Sequence, residues 1–155
     1  MQDPDTRIQN FIREHHVLTI ATAVEDIPYC ANCFYVYLEE ENLFVFTSDH
    51  DTRHAVEFQE NNQVAGSVVL ETRVVGKIQG LQFTGRVEAL KGDILKKAKS
   101  RYLRKFPVAL LMKTSLWGVK PEFMKMTHNA LGFGKKLIWS SKEGSSVHLA
   151  KHEEE

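Results

Sequence analysis

Three runs rich in β-branched and aromatic residues follow one another near the start of this chain, Val17–Val24, Tyr29–Leu38 and Leu43–Thr47. Such composition favours strands. Links as short as Glu25-Asp26-Ile27-Pro28 and Glu39-Glu40-Glu41-Asn42 leave room only for antiparallel neighbours, because a parallel crossover needs a dozen residues or so. Within the first run Leu18, Ile20 and Thr22 fall on one face, as in a wall with one buried side. Further strands are predicted at Val64–Thr72, Lys77–Leu90, Leu116–Val119, Phe123–Thr127 and Leu137–Ser140, with Pro121 parting Leu116–Val119 from Phe123–Thr127. Gly80 and Gly85 interrupt one of these runs, which marks a bulge or a close backbone approach. The β-α-β spacing of a Rossmann domain is missing. The pattern predicts a mainly β, α+β domain in which six or more antiparallel strands form a barrel with a few peripheral helices.

Asp3 is placed to cap a helix that starts at Pro4. Ile8, Phe11 and Ile12 then recur at helical spacing, and His15 and His16 close the segment. Ala55–Asn61 reads as a second helix with Thr52 as its cap. A third runs from Gly92-Asp93 to Phe106, with Ile94, Ala98, Tyr102 and Leu103 as its apolar stripe and Lys96, Lys97, Lys99, Arg101, Arg104 and Lys105 on its basic side. Pro107 ends it, and Val108–Lys113 is predicted to make a helical turn.

The chain has 155 residues, enough for one domain with a sizeable core. We read residues 1–141 as that domain and the polar stretch from Lys142 to Glu155 as a mobile tail. Twenty Lys and Arg balance twenty Asp and Glu, so no net positive charge favours nucleic acid. No apolar run is long enough to span a membrane. The polar start Met1-Gln2-Asp3-Pro4-Asp5 does not resemble a secretory signal, and the expected location is the cytoplasm. Cys30 and Cys33 form a Cys-x-x-Cys, but among strand-forming neighbours rather than at a helix start. No second Cys pair completes a zinc site, and we read the two as small packing residues. No metal site is expected.

The stretch from Thr47 to His54 carries the strongest functional signal. Hydroxyls, a guanidinium and an imidazole gather where a strand ends and a helix begins. Uncapped N–H groups and the helix dipole favour an anion at such a place, and Arg offers a fork of donors that fits phosphate oxygens. Farther on, Gly132-Phe133-Gly134-Lys135-Lys136 supplies tight backbone geometry, a flat ring and cations. No nucleophile elbow and no Walker phosphate loop is present.

The order Val17-Leu18-Thr19-Ile20-Ala21-Thr22, then Pro28 and an aromatic strand, then Leu43-Phe44-Val45-Phe46-Thr47, then Thr52-Arg53-His54, resembles the flavin-binding split barrels typified by pyridoxamine 5′-phosphate oxidase. The later run Gln82-Phe83-Thr84-Gly85-Arg86-Val87-Glu88-Ala89-Leu90 is similar to the family's long strand. The resemblance covers roughly residues 10–140. It implies a split β-barrel that binds FMN, with Thr47, Thr52, Arg53 and His54 at the phosphate. It also implies that backbone groups of Thr19, Ile20, Ala21 and Thr22 line the pyrimidine edge of the flavin, that Gln79 or Gln82 adds an amide, and that the flavin lies across a homodimer interface, where the loop with Phe133 and Lys135, read from its residues as a structural turn or a cofactor wall, acts from the partner copy. The implied activity is that of a flavin-dependent oxidoreductase acting on a small molecule; a non-catalytic module holding flavin, deazaflavin or haem is the alternative. His54 stands where the family has Lys, Thr22 and Ala23 stand where the oxidase has a Lys, and the substrate-recognising tail of the oxidase is not evident. These departures point to a branch other than the vitamin B6 oxidase itself.

Overall fold

The first hairpin sets the register of the sheet. β1 (Val17–Val24) pairs with β2 (Ile27–Leu38) from Val24↔Ile27 to Val17↔Phe34. Only Glu25 and Asp26 separate the strands, with φ of 51° and 63°. Two central residues at positive φ are the mark of a type I′ turn, whose twist matches that of the strands it joins. The turn is therefore shorter than the sequence suggests, and Ile27 and Pro28 belong to β2.

The computed structural model describes residues 3–111 and 113–141; the tail expected from Lys142 onward lies outside the described residues. After β2 come β3 (Leu43–Ser48), β4 (Gln63–Val69), β5 (Gln79–Ala89), β6 (Ser115–His128) and β7 (Lys136–Ser140). The order is β3-β2-β1-β4-β5-β6-β7, and a further pairing of β3 with β6 closes the first six into a barrel. All pairings are antiparallel. The fold is the six-stranded antiparallel barrel expected, with β7 as an added strand.

Pro121 does not divide two strands. Residues 115–128 are one 14-residue strand. Thr84 pairs with Phe123 but Gly85 pairs with Pro121, so Glu122 is the extra residue of a bulge. Proline, which has no N–H to give, is tolerated at such a point. Gly85 sits opposite because the backbones nearly touch: a Cβ there would lie 2.3 Å from the Lys120 carbonyl oxygen. Gly80 causes no shift in register. Two strand ends are also trimmed: β4 stops at Val69, and Lys77 belongs to a 3-10 turn (Val75–Lys77) before β5 begins at Gln79.

Three helices cover the barrel among the described residues: α1 (Thr6–Glu14), α2 (Arg53–Glu60) and α3 (Gly92–Lys105). The cap of α1 is Asp5 rather than Asp3; its carboxylate accepts from the Arg7 N–H at 2.8 Å. Pro107–Leu111 forms a 3-10 turn. Ile8, Phe11 and Ile12 of α1 and Ala55 and Phe58 of α2 join the barrel core. Inside it, the Phe44 and Phe83 rings stack at 4.6 Å, and the buried Tyr35 hydroxyl donates to the Ile12 carbonyl at 2.6 Å, which spares the cost of an unpaired polar group. A second cluster, with Val36, Val45, Leu90, Ala98 and Tyr102, lies under α3. No described helix is long and apolar enough to cross a membrane.

The bulge gives a direct test. Gly85→Ala should cost about 1–3 kcal/mol of unfolding free energy, because the new methyl collides with backbone rather than with a movable side chain. Gly76→Ala, where nothing lies within 4 Å of the new Cβ, should change stability little. Equal urea midpoints for the two variants would show that the close approach of Gly85 to Lys120 and Pro121 does not constrain the barrel.

Candidate functional site

β3 ends in two hydroxyl residues that point to opposite faces, as alternation requires. Ser48 is buried. Its Oγ lies 2.8 Å from Thr52 Oγ1 and 2.8 Å from His54 Nε2. The backbone carbonyl of Ser48 accepts from the Trp117 indole N–H at 3.1 Å, which fixes the strand end against β6. Thr47 looks the other way, and its hydroxyl sits 3.1 Å from the Tyr102 hydroxyl on α3. The structure thus joins Thr52 and His54 into one cluster and sets Thr47 apart from it. Ser48 takes the place beside them. The alternation of Leu43–Ser48 is the signal that could have found it.

Thr52 is the N-cap of α2 but makes no side-chain cap bond; its hydroxyl donates to the Asp49 carbonyl at 2.9 Å. The first turn of α2 therefore offers N–H groups at its start, where the helix dipole is positive. Arg53 is the first residue of that turn. Its Nε donates to Glu57 Oε1 at 2.8 Å, and its guanidinium lies 4.2 Å from the centre of the Tyr29 ring. Glu57 also accepts from the Thr22 hydroxyl, which binds α2 to β1. Arg53 and Thr22, by bonding to the Glu57 carboxylate, hold it below the usual carboxylate range. Glu57 and Tyr29 are site neighbours that sequence reasoning missed. Glu57 lies one helical turn after Arg53, a spacing readable in advance, whereas Tyr29 reaches Arg53 only through the fold.

Beside this corner runs an edge of β2 that no described strand covers. β3 pairs with β2 only from Tyr35 to Leu38, so Ile27–Phe34 has β1 on one side alone. Tyr35 N–H donates toward β1, to the His16 carbonyl. Alternation then turns the backbone groups of Phe34, Asn32 and Cys30 to the open edge. The Phe34 carbonyl confirms the direction, accepting from the Tyr102 hydroxyl at 3.3 Å.

The remaining expected residues are spread over other surfaces. Ile20 is wholly buried in the core. Thr19, Ile20 and Ala21 are paired on both sides, with β2 and with β4, so their backbone groups are already engaged in the sheet. Thr19 and Ala21 point outward into a shallow groove of ≈ 350 Å³ shared with Cys30, Ser67, Gln82 and Lys125. Register places Asn32, Thr19, Ser67, Gln82 and Lys125 abreast across five strands, and the Thr19 hydroxyl donates to Asn32 Oδ1 at 2.9 Å. Gln79, three residues before Gln82, takes the opposite face of β5 and pairs with His128. Phe133, 86% exposed, and Lys135 stand on the turn between β6 and β7, beside the Val75–Lys77 turn. Cys30 is exposed and Cys33 buried; burial pushes the Cys33 thiol up to about 11.

The comparisons agree with this architecture. Residues 4–128 match a family model described as pyridoxamine 5′-phosphate oxidase. A UPF0306 protein of Photorhabdus laumondii is 44% identical over 132 residues, 85% of this chain and 92% of that one. Among solved structures, a haem-binding protein from Mycobacterium smegmatis superposes with a TM-score of 0.73 at 16% identity, over 90% of this chain and 60% of the other. An FAD-binding protein from Mesorhizobium loti gives a TM-score of 0.64 at 14% identity, over 78% of this chain and 91% of the other. At such identities the shared property is the fold.

His54 makes the corner sensitive to pH. Burial lowers its pKa from the ordinary value, opposed by the nearby Glu57 carboxylate. A histidine whose folded pKa lies below its unfolded one takes up protons more readily when unfolded, so stability is full above the unfolded value and falls as pH drops through it. Unfolding free energy should therefore decline between about pH 7 and pH 5, and His54→Gln should decline less over that range in parallel urea titrations. Parallel curves for the two proteins would show that His54 titrates alike in both states.

Proposed function

The chain belongs to the pyridoxamine 5′-phosphate oxidase family, and from that premise we propose that it binds FMN, with the phosphate at the start of α2 and the flavin along the open edge of β2. The observation that carries this reading is the convergence of Ser48, Thr52, Arg53 and His54 at one corner, next to an edge of β2 that no described strand covers. The chemistry of these groups fits the cofactor. Helix N–H groups, hydroxyls and a guanidinium suit phosphate oxygens, and the alternating donors and acceptors of a strand edge suit the amide-like rim of a flavin. Bound there, FMN supplies redox chemistry that no protein side chain provides. The reading makes the protein a flavin-dependent oxidoreductase of a small molecule.

The protein's own part is to hold the charge and position the ring. Arg53 is the cation of the corner, and in this structure it is shared between Glu57 and Tyr29. Only its Nε donates to Glu57, which leaves the terminal NH2 groups of the fork to meet a phosphate. His54 stands in the family's Lys position, and partial burial disfavours its charged form, so Arg53, paired with Glu57, is the permanent cation of the corner. FMN is therefore held by hydrogen bonds and one cation, more weakly than by two cations.

A second copy of the chain completes this site. The polar row from Asn32 to Lys125 lies beside a row of Cys30, Ala21, Ala65, Thr84 and Phe123, a face of mostly small residues suited to another sheet. Phe133, with Val74 and Val75 half-exposed near it, is placed to reach a neighbouring copy. Gln82 or Gln79, together with Lys135, is the further group offered to the cofactor or its substrate in the dimer.

The first test is the visible spectrum of the purified protein, with fluorescence titration of added FMN. Saturable quenching supports the proposal; a Soret band on adding haemin, with FMN fluorescence unchanged, overturns it in favour of haem. Arg53→Ala should weaken FMN by about 1.5–3 kcal/mol, the worth of a charge-assisted contact, and His54→Lys should tighten it. Unchanged affinity in both variants would place the phosphate elsewhere. Phe133→Arg should shift the sedimentation profile from dimer toward monomer, and an unaltered profile would remove this loop from the interface.

A further inference from the structure

On the far side of β3 from the α2 corner lies a cavity of ≈ 550 Å³, bounded by α3, the Pro107–Leu111 turn and the start of β6. Its volume is that of small-molecule sites. Leu90, Tyr102 and Trp117, all buried, form its floor, and Leu95, Leu103 and Leu110 its walls. Leu110 is 70% exposed, and its neighbours Val108 and Leu111 are 71% and 87% exposed. So much apolar surface on one short turn is costly to leave in water.

The charged side chains that line the cavity among the described residues have one sign. Lys99 and Lys113 line it, and among the described residues no Asp or Glu does. Neither lysine is in an ion pair among the described residues, whereas Lys96 and Lys97 of the same helix are. At the polar end, Ser115 Oγ lies 2.7 Å from His50 Nε2, and the His50 ring packs against Trp117 at 4.9 Å. Thr47 lines this cavity while Ser48, its neighbour, joins the α2 corner, so the two places are separated by the thickness of one strand.

We propose that this cavity is a second ligand site, distinct from the FMN site, which takes a small amphipathic anion: an acyl or aryl body against the leucines and Trp117, and a carboxylate between Lys99 and Lys113. The apolar part covers the exposed Leu110. The carboxylate gains a charged partner that neither lysine has within the described residues, and the Ser115 and His50 pair stands ready as a hydrogen-bonding end wall.

The test is calorimetric titration of the full chain with decanoate below its micellar concentration, with decanol as the neutral counterpart. The expected result is saturable one-to-one binding of decanoate, at least about tenfold weaker in the Lys99→Gln/Lys113→Gln double variant and for decanol, as the loss of charge-assisted contacts predicts. These surface lysines can be changed without disturbing the core. Decanoate should also bind equally well with and without FMN present. Absence of saturable binding, equal binding of decanol, an unaffected double variant or displacement by FMN would each overturn the proposal. Sedimentation with phosphatidylglycerol vesicles without binding of free decanoate would overturn it in favour of a membrane-facing surface.

Discussion

The barrel depends on one long strand serving three partners. β6 pairs with β5 along nearly its whole length, with β3 through its first residues and with β7 through its last. A straight strand cannot follow the turn from a closed barrel wall to an outlying sheet. The bulge at Glu122 supplies the bend, with Pro121 and Gly85 facing each other where the backbones come too close for a side chain. Because β6 closes against β3, the end of β3 is pinned at a defined place, and the Trp117 indole bond to the Ser48 carbonyl adds a second tie. The α2 corner and the cavity under α3 both adjoin that strand end.

Adjacent residues on a strand face opposite ways, and here that simple fact separates two chemistries. Ser48 meets Thr52 and His54 at the start of α2, while Thr47 meets Tyr102 and the cavity under α3. The first place is polar, compact and close to an open strand edge. The second is roomy, apolar and rimmed by lysines. The same β3–β6 pairing that closes the barrel builds one wall of each.

The electrostatics of the α2 corner are finely balanced. Arg53 has Glu57 one turn away and Tyr29 beneath it, so its charge is already partly spoken for. Thr22, buried beside them, holds Glu57 in place through its hydroxyl. The Arg53 end of this ion pair is half exposed, whereas the Glu57 carboxylate is only 13% exposed. Burial disfavours the protonated form of His54, against the pull of Glu57.

The sequence by itself determined where the strands lie, most of their limits to within one residue, the three helices and the gathering of hydroxyl and basic residues ahead of α2. These are local properties: side-chain alternation, turn formers and helix caps act within a few residues. It misplaced the cap of α1 by two residues and cut β6 at Pro121, because the bulge that accommodates Pro121 depends on Gly85, a residue on another strand. It grouped Thr47 with Thr52 because proximity along the chain does not say which face a strand end will show. The open edge of β2, the engagement of Thr19–Ala21 on both sides, the Arg53–Tyr29 contact and the cavity under α3 were decided only by the tertiary structure. Each depends on which strand lies beside which, and that is settled by long-range pairing and burial rather than by any short stretch of residues.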